Sequence, residues 1–142
     1  MAHSDSERWS HLVTLHGRVE QHLTEVLHRR CALSLREYRT LSLLTAAPEG
    51  ELRMQELADA VGLDQSSASR LAGRLERAEL AERCHCPGDR RGVFLGITKS
   101  GRERQAQTQP IYEAALSEAL DEAASATDPA LATLTSSLRA SA

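Results

Sequence analysis

Met54-Gln55-Glu56-Leu57-Ala58-Asp59-Ala60-Val61, then Gly62-Leu63-Asp64, then Gln65-Ser66-Ser67-Ala68-Ser69-Arg70-Leu71-Ala72-Gly73-Arg74-Leu75-Glu76 is the run that decides the fold. Leu57, Ala58 and Val61 share one helical face, and Leu71 and Leu75, four apart, share another, so two short helices can bury each other's apolar stripes. The three residues between them include Gly62, and a short glycine-containing turn joining two short helices is the mark of a helix-turn-helix. Asp64 is placed to cap the second helix, its carboxylate accepting N–H groups of the first turn. Gln65, Ser66, Ser67, Ser69, Arg70 and Arg74 follow on that helix. Short hydrogen-bonding side chains let a helix lie deep in a major groove, and a long cation beside them suits guanine or phosphate. An ordinary solvated, serine-rich helix would carry the same residues, so the helix pair alone leaves both readings open.

The next segment favours the first. Residues 81–86 and 93–97 are strand-like, with Val93, Leu95 and Ile97 alternating against Phe94 and Gly96. Between them lies Pro87-Gly88-Asp89-Arg90-Arg91-Gly92, two arginines set among turn-forming residues. An exposed arginine on a narrow hairpin suits a minor groove, whose negative potential draws it in. A surface salt bridge between Asp89 and the arginines is the alternative, and such bridges contribute little. Because this ribbon directly follows the candidate recognition helix, Arg90 and Arg91 are read as groove contacts. The order of elements predicts a mainly α fold with a small β-wing, a winged helix-turn-helix, and double-stranded DNA as its partner.

The chain also resembles the MarR (multiple antibiotic resistance regulator) family of bacterial transcriptional regulators. The matching residues are Leu57-Ala58-Asp59-Ala60-Val61-Gly62-Leu63-Asp64, Ser69-Arg70-Leu71, Arg74-Leu75-Glu76, Asp89-Arg90-Arg91 and Leu95-Gly96-Ile97-Thr98-Lys99-Ser100-Gly101. An Asp-Arg-Arg wing followed by a Thr-x-x-Gly helix restart is more specific than a bare helix-turn-helix, and the resemblance extends over nearly the whole chain. It implies one domain over residues 1–142, with 34–98 as the winged lobe and 7–31 and 99–142 as dimerisation helices from both termini. It further implies a homodimer acting on promoters, more often as repressor than activator, and released by a small molecule or an oxidant. By the same resemblance His16, Val19, Tyr38, Arg39 and Leu41 are candidates to line an effector pocket. Two departures stand out. Where the family usually has glycine this chain has Glu79, so the recognition helix must end on a residue with a β-carbon. Aromatic residues are only Trp9, Tyr38, Phe94 and Tyr112, few for stacking a planar effector.

The formal charge of −3 at first contradicts a polyanionic partner. Residues 65–104, however, hold nine Lys/Arg and five Asp/Glu, net +4, leaving eight and fifteen elsewhere, net −7. The cations are concentrated where DNA contact is expected, and the acidic remainder discourages binding in the wrong orientation. With 142 residues and 41% hydrophobic content but 3% aromatic, the chain is of single-domain size and is expected to be helical, built on Leu, Ala and Val. No apolar run approaches a membrane span, and the first residues lack the cationic and apolar parts of a signal peptide, so a cytoplasmic location is expected. No glycine-rich phosphate loop, motif-spaced carboxylate pair or oriented Cys-His pair points to catalysis, and no cofactor is implied. A winged helix that binds proteins instead of DNA is the alternative, which the basic helix and wing argue against.

The flanking segments predict helices. Ser6 is a candidate cap for a first helix with the stripe Trp9, Leu12, Val13, His16, Val19, Leu23, Val26 and Leu27, ending near Arg30 or Cys31. Ser34 and Glu37 form a capping-box pattern for the second. Thr98 is positioned to cap a long helix containing Pro110, and Thr127-Asp128-Pro129 starts the last one, with Leu131, Leu134 and Leu138 on one side. Thin stripes at both ends suggest a second subunit as their cover. Cys84 and Cys86, two apart on a strand, and Cys31 are candidate redox residues, because a strained bridge between residues two apart would be readily reduced. A metal site is a weaker fit, since the spacing is not that of a zinc knuckle; small half-buried thiols without special chemistry are the remaining reading. His11, His16, His22 and His28 are spaced by five, six and six, which repeats no helical face and argues against a ligand set.

Overall fold

The structure, a computed structural model, describes residues 4–85 and 92–140. Its elements in chain order are α1 (Asp5–Cys31), α2 (Leu35–Ala46), a 3-10 turn (Pro48–Gly50), β1 (Glu51–Arg53), α3 (Met54–Val61), α4 (Gln65–Arg77), β2 (Ala81–His85), β3 (Val93–Ile97), α5 (Lys99–Ala124) and α6 (Pro129–Ala140). The strands form one antiparallel sheet in the order β1-β3-β2, with Leu52 opposite Leu95 and Arg83 opposite Leu95 on the other side. The mainly helical winged helix-turn-helix expected from the sequence is therefore present. β1 has no signature in the sequence: three residues between a turn and a helix are too few to show alternation.

Residues Leu33–Gln109 form one compact unit, and Met1–Ala32 with Pro110–Ala142 form another. The winged unit is built around Leu41, Leu44, Leu57, Leu71, Leu75 and Leu95, all fully buried, with Tyr38, Ala58, Ala68 and Ala72 among them. Each such leucine stabilises the fold by about 1.5–3 kcal/mol of apolar burial. Ser34 caps α2 through a capping box: its hydroxyl accepts from Glu37 N–H at 3.0 Å, and the Glu37 carboxylate accepts from Ser34 N–H at 2.9 Å. Thr98 opens α5 as expected, its Oγ1 accepting from Gly101 N–H at 3.0 Å. The same hydroxyl donates to the Glu79 carbonyl at 2.7 Å, and Thr98 N–H donates to the Leu80 carbonyl at 3.1 Å. Gly101 lies so close to the Leu80 carbonyl and the Ile97 side chain that a β-carbon there would overlap both.

In the helical unit, Ser4 and not Ser6 caps α1. Its hydroxyl and Glu7 exchange both capping-box bonds at 3.2 Å. Three residues beyond Ser6 stands Trp9, which cannot return such a bond. The apolar stripe of α1 is also divided along its length. Leu15, Leu23, Val26 and Leu27 are buried, whereas Trp9 is 66% exposed and Leu12, Val13 and His16 are exposed with it. Leu15 of α1 packs with Ala123 of α5 and Leu131 of α6, and Val19, Ala126 and Leu134 close around them. Asp128 Oδ1 accepts from Ala130 N–H at 2.9 Å, and Pro129 occupies the first turn of α6, as the sequence indicates. Arg139 holds α6 to α5 through Asp121 Oδ1 at 2.6 Å and the Ser117 carbonyl at 2.9 Å. None of the described helices is long and apolar enough to cross a membrane.

Candidate nucleic-acid interface

Asp64 fixes where α4 begins. Its Oδ1 accepts from Ser67 N–H at 2.7 Å, and the bonds from the Ser67 backbone and hydroxyl, with Arg70 nearby, hold its carboxyl below the usual aspartate range. The Ser67 hydroxyl also accepts from Arg70 Nη2 at 3.1 Å. One face of α4 is buried through Ala68, Leu71, Ala72 and Leu75, which leaves Gln65, Ser66, Arg70, Arg74, Glu76 and Arg77 exposed. Three of those six are arginines. They stand one helical turn apart on the side facing solvent, the arrangement that a phosphate-lined groove requires.

Of the residues expected to touch DNA, Gln65, Ser66, Arg70 and Arg74 lie on this exposed face. Ser67 and Ser69 are half-buried, and both hydroxyls are engaged within the chain. Arg90 and Arg91 lie outside the described residues, as do Asp89 and Cys86.

The residue sequence reasoning missed is Arg83. Its Nη1 donates to Ser69 Oγ at 3.2 Å, its Nη2 donates to the Ser69 carbonyl, and its Nε pairs with Glu76 Oε1 at 2.8 Å. A single guanidinium on β2 thus grips α4 at two points seven residues, or two turns, apart. Ala81, two residues earlier on the strand, is buried, so the period-2 pattern already placed Arg83 on the face turned toward α4. Gly73 lies beneath this guanidinium: a β-carbon there would sit 3.5 Å from Arg77 Nη1 and 3.6 Å from Arg83 Nη2. At the base of the wing, Arg53 lies over the Phe94 ring at 5.1 Å, directly across the sheet register. Between these elements runs a groove of about 360 Å³ lined by Arg53, Gln55, Gln65, Ser69, Arg83 and Val93.

Tyr38 and Leu41 are buried in the winged unit and Arg39 is half-buried. In the helical unit Val19 packs on the Leu15 cluster, and His16 is exposed with Glu20 at 3.7 Å. Cys31 ends α1 and Cys84 stands opposite Phe94 on β2; both are half-buried, and neither is in a disulfide with a described residue. Among the described residues no group of three or more His, Cys, Asp or Glu could hold a metal.

Residues 33–92, which include α2 to α4 and the strand leading into the wing, match the sequence model of the MarR family. Over the whole length the chain is similar in structure to Sco3205, a MarR family transcriptional regulator from Streptomyces coelicolor solved in complex with DNA. The TM-score is 0.78 and the identity 27%, covering 98% of this chain and 89% of that one. The likeness to MarR family proteins thus covers α2 to the wing by sequence and nearly the whole chain by structure. The family whose model matches, and the similar Streptomyces coelicolor protein, are transcriptional regulators. AbsC, another MarR family regulator from Streptomyces coelicolor, is 25% identical at a TM-score of 0.77, with 98% and 93% of the two chains covered. A mutant MarR from E. coli complexed with operator DNA shares the fold at a TM-score of 0.71 and 21% identity, over 90% of this chain and 88% of that one. No curated protein matches the sequence.

Proposed function

We propose that this chain is a transcriptional regulator that binds pseudo-palindromic promoter DNA as a homodimer, one α4 per subunit entering successive major grooves about 34 Å apart. Gln65, Ser66, Ser67, Ser69, Arg70 and Arg74 meet the DNA, Ser67 and Ser69 also steadying the helix that carries them, and Arg90 and Arg91 reach the flanking minor groove. The observation that carries this reading is the exposed face of α4: three arginines and two small polar residues on a helix capped by Asp64 and gripped by Arg83. The similar regulator from Streptomyces coelicolor crystallised with DNA supports it.

The terminal helices serve dimerisation. Trp9, Leu12 and Val13 lie exposed on α1 at helical spacing, with Leu138 exposed on α6, an apolar surface of the kind a second copy would cover. The output is repression, and release follows a small-molecule or oxidant signal, the latter acting through Cys84 with Cys86 or through Cys31.

The test is fluorescence anisotropy on the DNA upstream of the regulator's own gene at several salt concentrations. Tight binding with a steep negative salt slope is expected. Replacing Arg90 and Arg91 together by alanine should weaken binding to all sequences and flatten the slope by about one for each phosphate no longer neutralised. An unchanged slope removes the wing from the DNA interface, and no binding at any salt overturns the DNA reading.

A further inference from the structure

The first residue of α4 is tied into a short chain of amide hydrogen bonds that has a fixed direction. Gln55 Nε2 donates to Asp59 Oδ1 at 3.1 Å, one turn along α3, and Gln65 Nε2 donates to Gln55 Oε1 at 2.8 Å. A carboxylate can only accept. Asp59 therefore obliges Gln55 to turn its nitrogen toward it and its oxygen toward α4, and that oxygen obliges Gln65 to turn its own nitrogen inward. The polarity follows from the carboxylate at the end of the chain and not from how either amide is assigned. Gln65 is left with Oε1 and one remaining Nε2 hydrogen for an outside partner.

We propose that this relay makes Gln65 an adenine reader, so that the preferred operator carries adenine at the base facing the start of α4 in each half-site. The inference rests on the DNA-binding reading above. Adenine offers N6–H to Oε1 and N7 to the remaining Nε2 hydrogen, a bidentate match. Guanine offers O6 and N7, two acceptors, and would set O6 against Oε1. A glutamine free to rotate could turn its nitrogen to guanine; one held by Gln55, whose own amide Asp59 orients, cannot do so without breaking its bond to Gln55 and setting two amide oxygens against each other. Asp59, which touches no DNA in this arrangement, becomes a positioning residue for specificity.

The test is in vitro selection from a random duplex library with the wild-type protein, Asp59→Asn, Gln55→Met and Gln65→Ala. All three positions are exposed, so the variants should fold as the wild type does. Wild type should select adenine over guanine at one position per half-site by roughly ten- to a hundredfold. Gln65→Ala should erase the preference at that position and spare the others. Asp59→Asn allows the relay to run in either direction, and Gln55→Met cuts it, so both should reduce the adenine-to-guanine ratio to a few-fold at the same position. The proposal is overturned if the position lost in Gln65→Ala prefers another base, or if Asp59→Asn and Gln55→Met select the wild-type motif unchanged. Selection of no motif by the wild-type protein would instead overturn sequence-specific DNA binding, and the relay with it.

Discussion

Glu79 shows how one side chain can sit at odds with its backbone. Leu80 N–H donates to the Leu75 carbonyl and Glu79 N–H to the Glu76 carbonyl, both at 2.9 Å, so α4 ends in a Schellman motif with Glu79 at φ 62°. α3 ends on a left-handed residue too, and there Gly62 takes the position at φ 68°. A residue with a β-carbon costs about 1–2 kcal/mol in this conformation, while glycine costs about 0.5–1 kcal/mol more in chain entropy. Glu79→Gly should therefore stabilise the protein by about 0.5–1 kcal/mol, read as a higher urea midpoint with an unchanged slope. Gly101→Ala should do the opposite by about 1–3 kcal/mol, since its β-carbon would meet the Leu80 carbonyl. A second residue-scale expectation concerns Asp64, whose carboxyl is held below its ordinary value chiefly by the Ser67 N–H. Because the folded value is the lower one, its contribution is present above the ordinary aspartate range and is lost as pH falls through the folded value. Comparing wild type with Asp64→Asn cancels the other carboxylates. The stability difference between them should change in that acidic window and stay constant above it; a difference flat across the whole range would remove Asp64 from the cap.

At the scale of elements, Arg83 joins the wing to the recognition helix. Arg83→Ala should lower stability by about 1 kcal/mol, as for a half-exposed ion pair with added neutral hydrogen bonds. It should weaken specific DNA binding more than nonspecific binding, so that their ratio falls. Arg83→Lys keeps a charge for Glu76 but loses the planar fork that reaches Ser69 at the same time, so it should recover stability more than specificity. Equal ratios in all three proteins, measured by anisotropy on matched and scrambled duplexes, would show that the grip does not set the pose of α4. This link also marks the limit of what is legible in the sequence. Helix faces, the Asp64, Ser34 and Thr98 caps and the glycine turn are local patterns, and α2 to α4 can be read from them almost residue by residue. Arg83 with Ser69 and Gln65 with Gln55 are fourteen and ten residues apart, and periodicity can assign a side chain to a face but cannot name the partner it meets on another element. Ser67 and Ser69 have the right composition for groove contacts, and the fold adds that their hydroxyl oxygens accept from Arg70 and Arg83.

At the scale of the molecule, the exposed stripe at the start of α1 carries the expectation of a partner. A tryptophan, a leucine and a valine within five residues are costly to leave in water. Changing Trp9 and Leu12 together to glutamate should shift sedimentation from dimer toward monomer and weaken operator binding, because two half-sites held by one dimer bind jointly. Monomeric sedimentation of the wild type would refute the assembly. Periodicity identifies an apolar face, and the fold adds which part of it the same chain leaves uncovered.

The joint at Thr98 has a mechanical consequence. The hydroxyl and the amide of Thr98, at the start of α5, bind the carbonyls of Glu79 and Leu80, residues whose own N–H groups close the end of α4, and Gly101 leaves no gap between them. These bonds tie the start of α5 to the end of α4. A shift of the start of α5 is therefore expected to be felt at the end of α4.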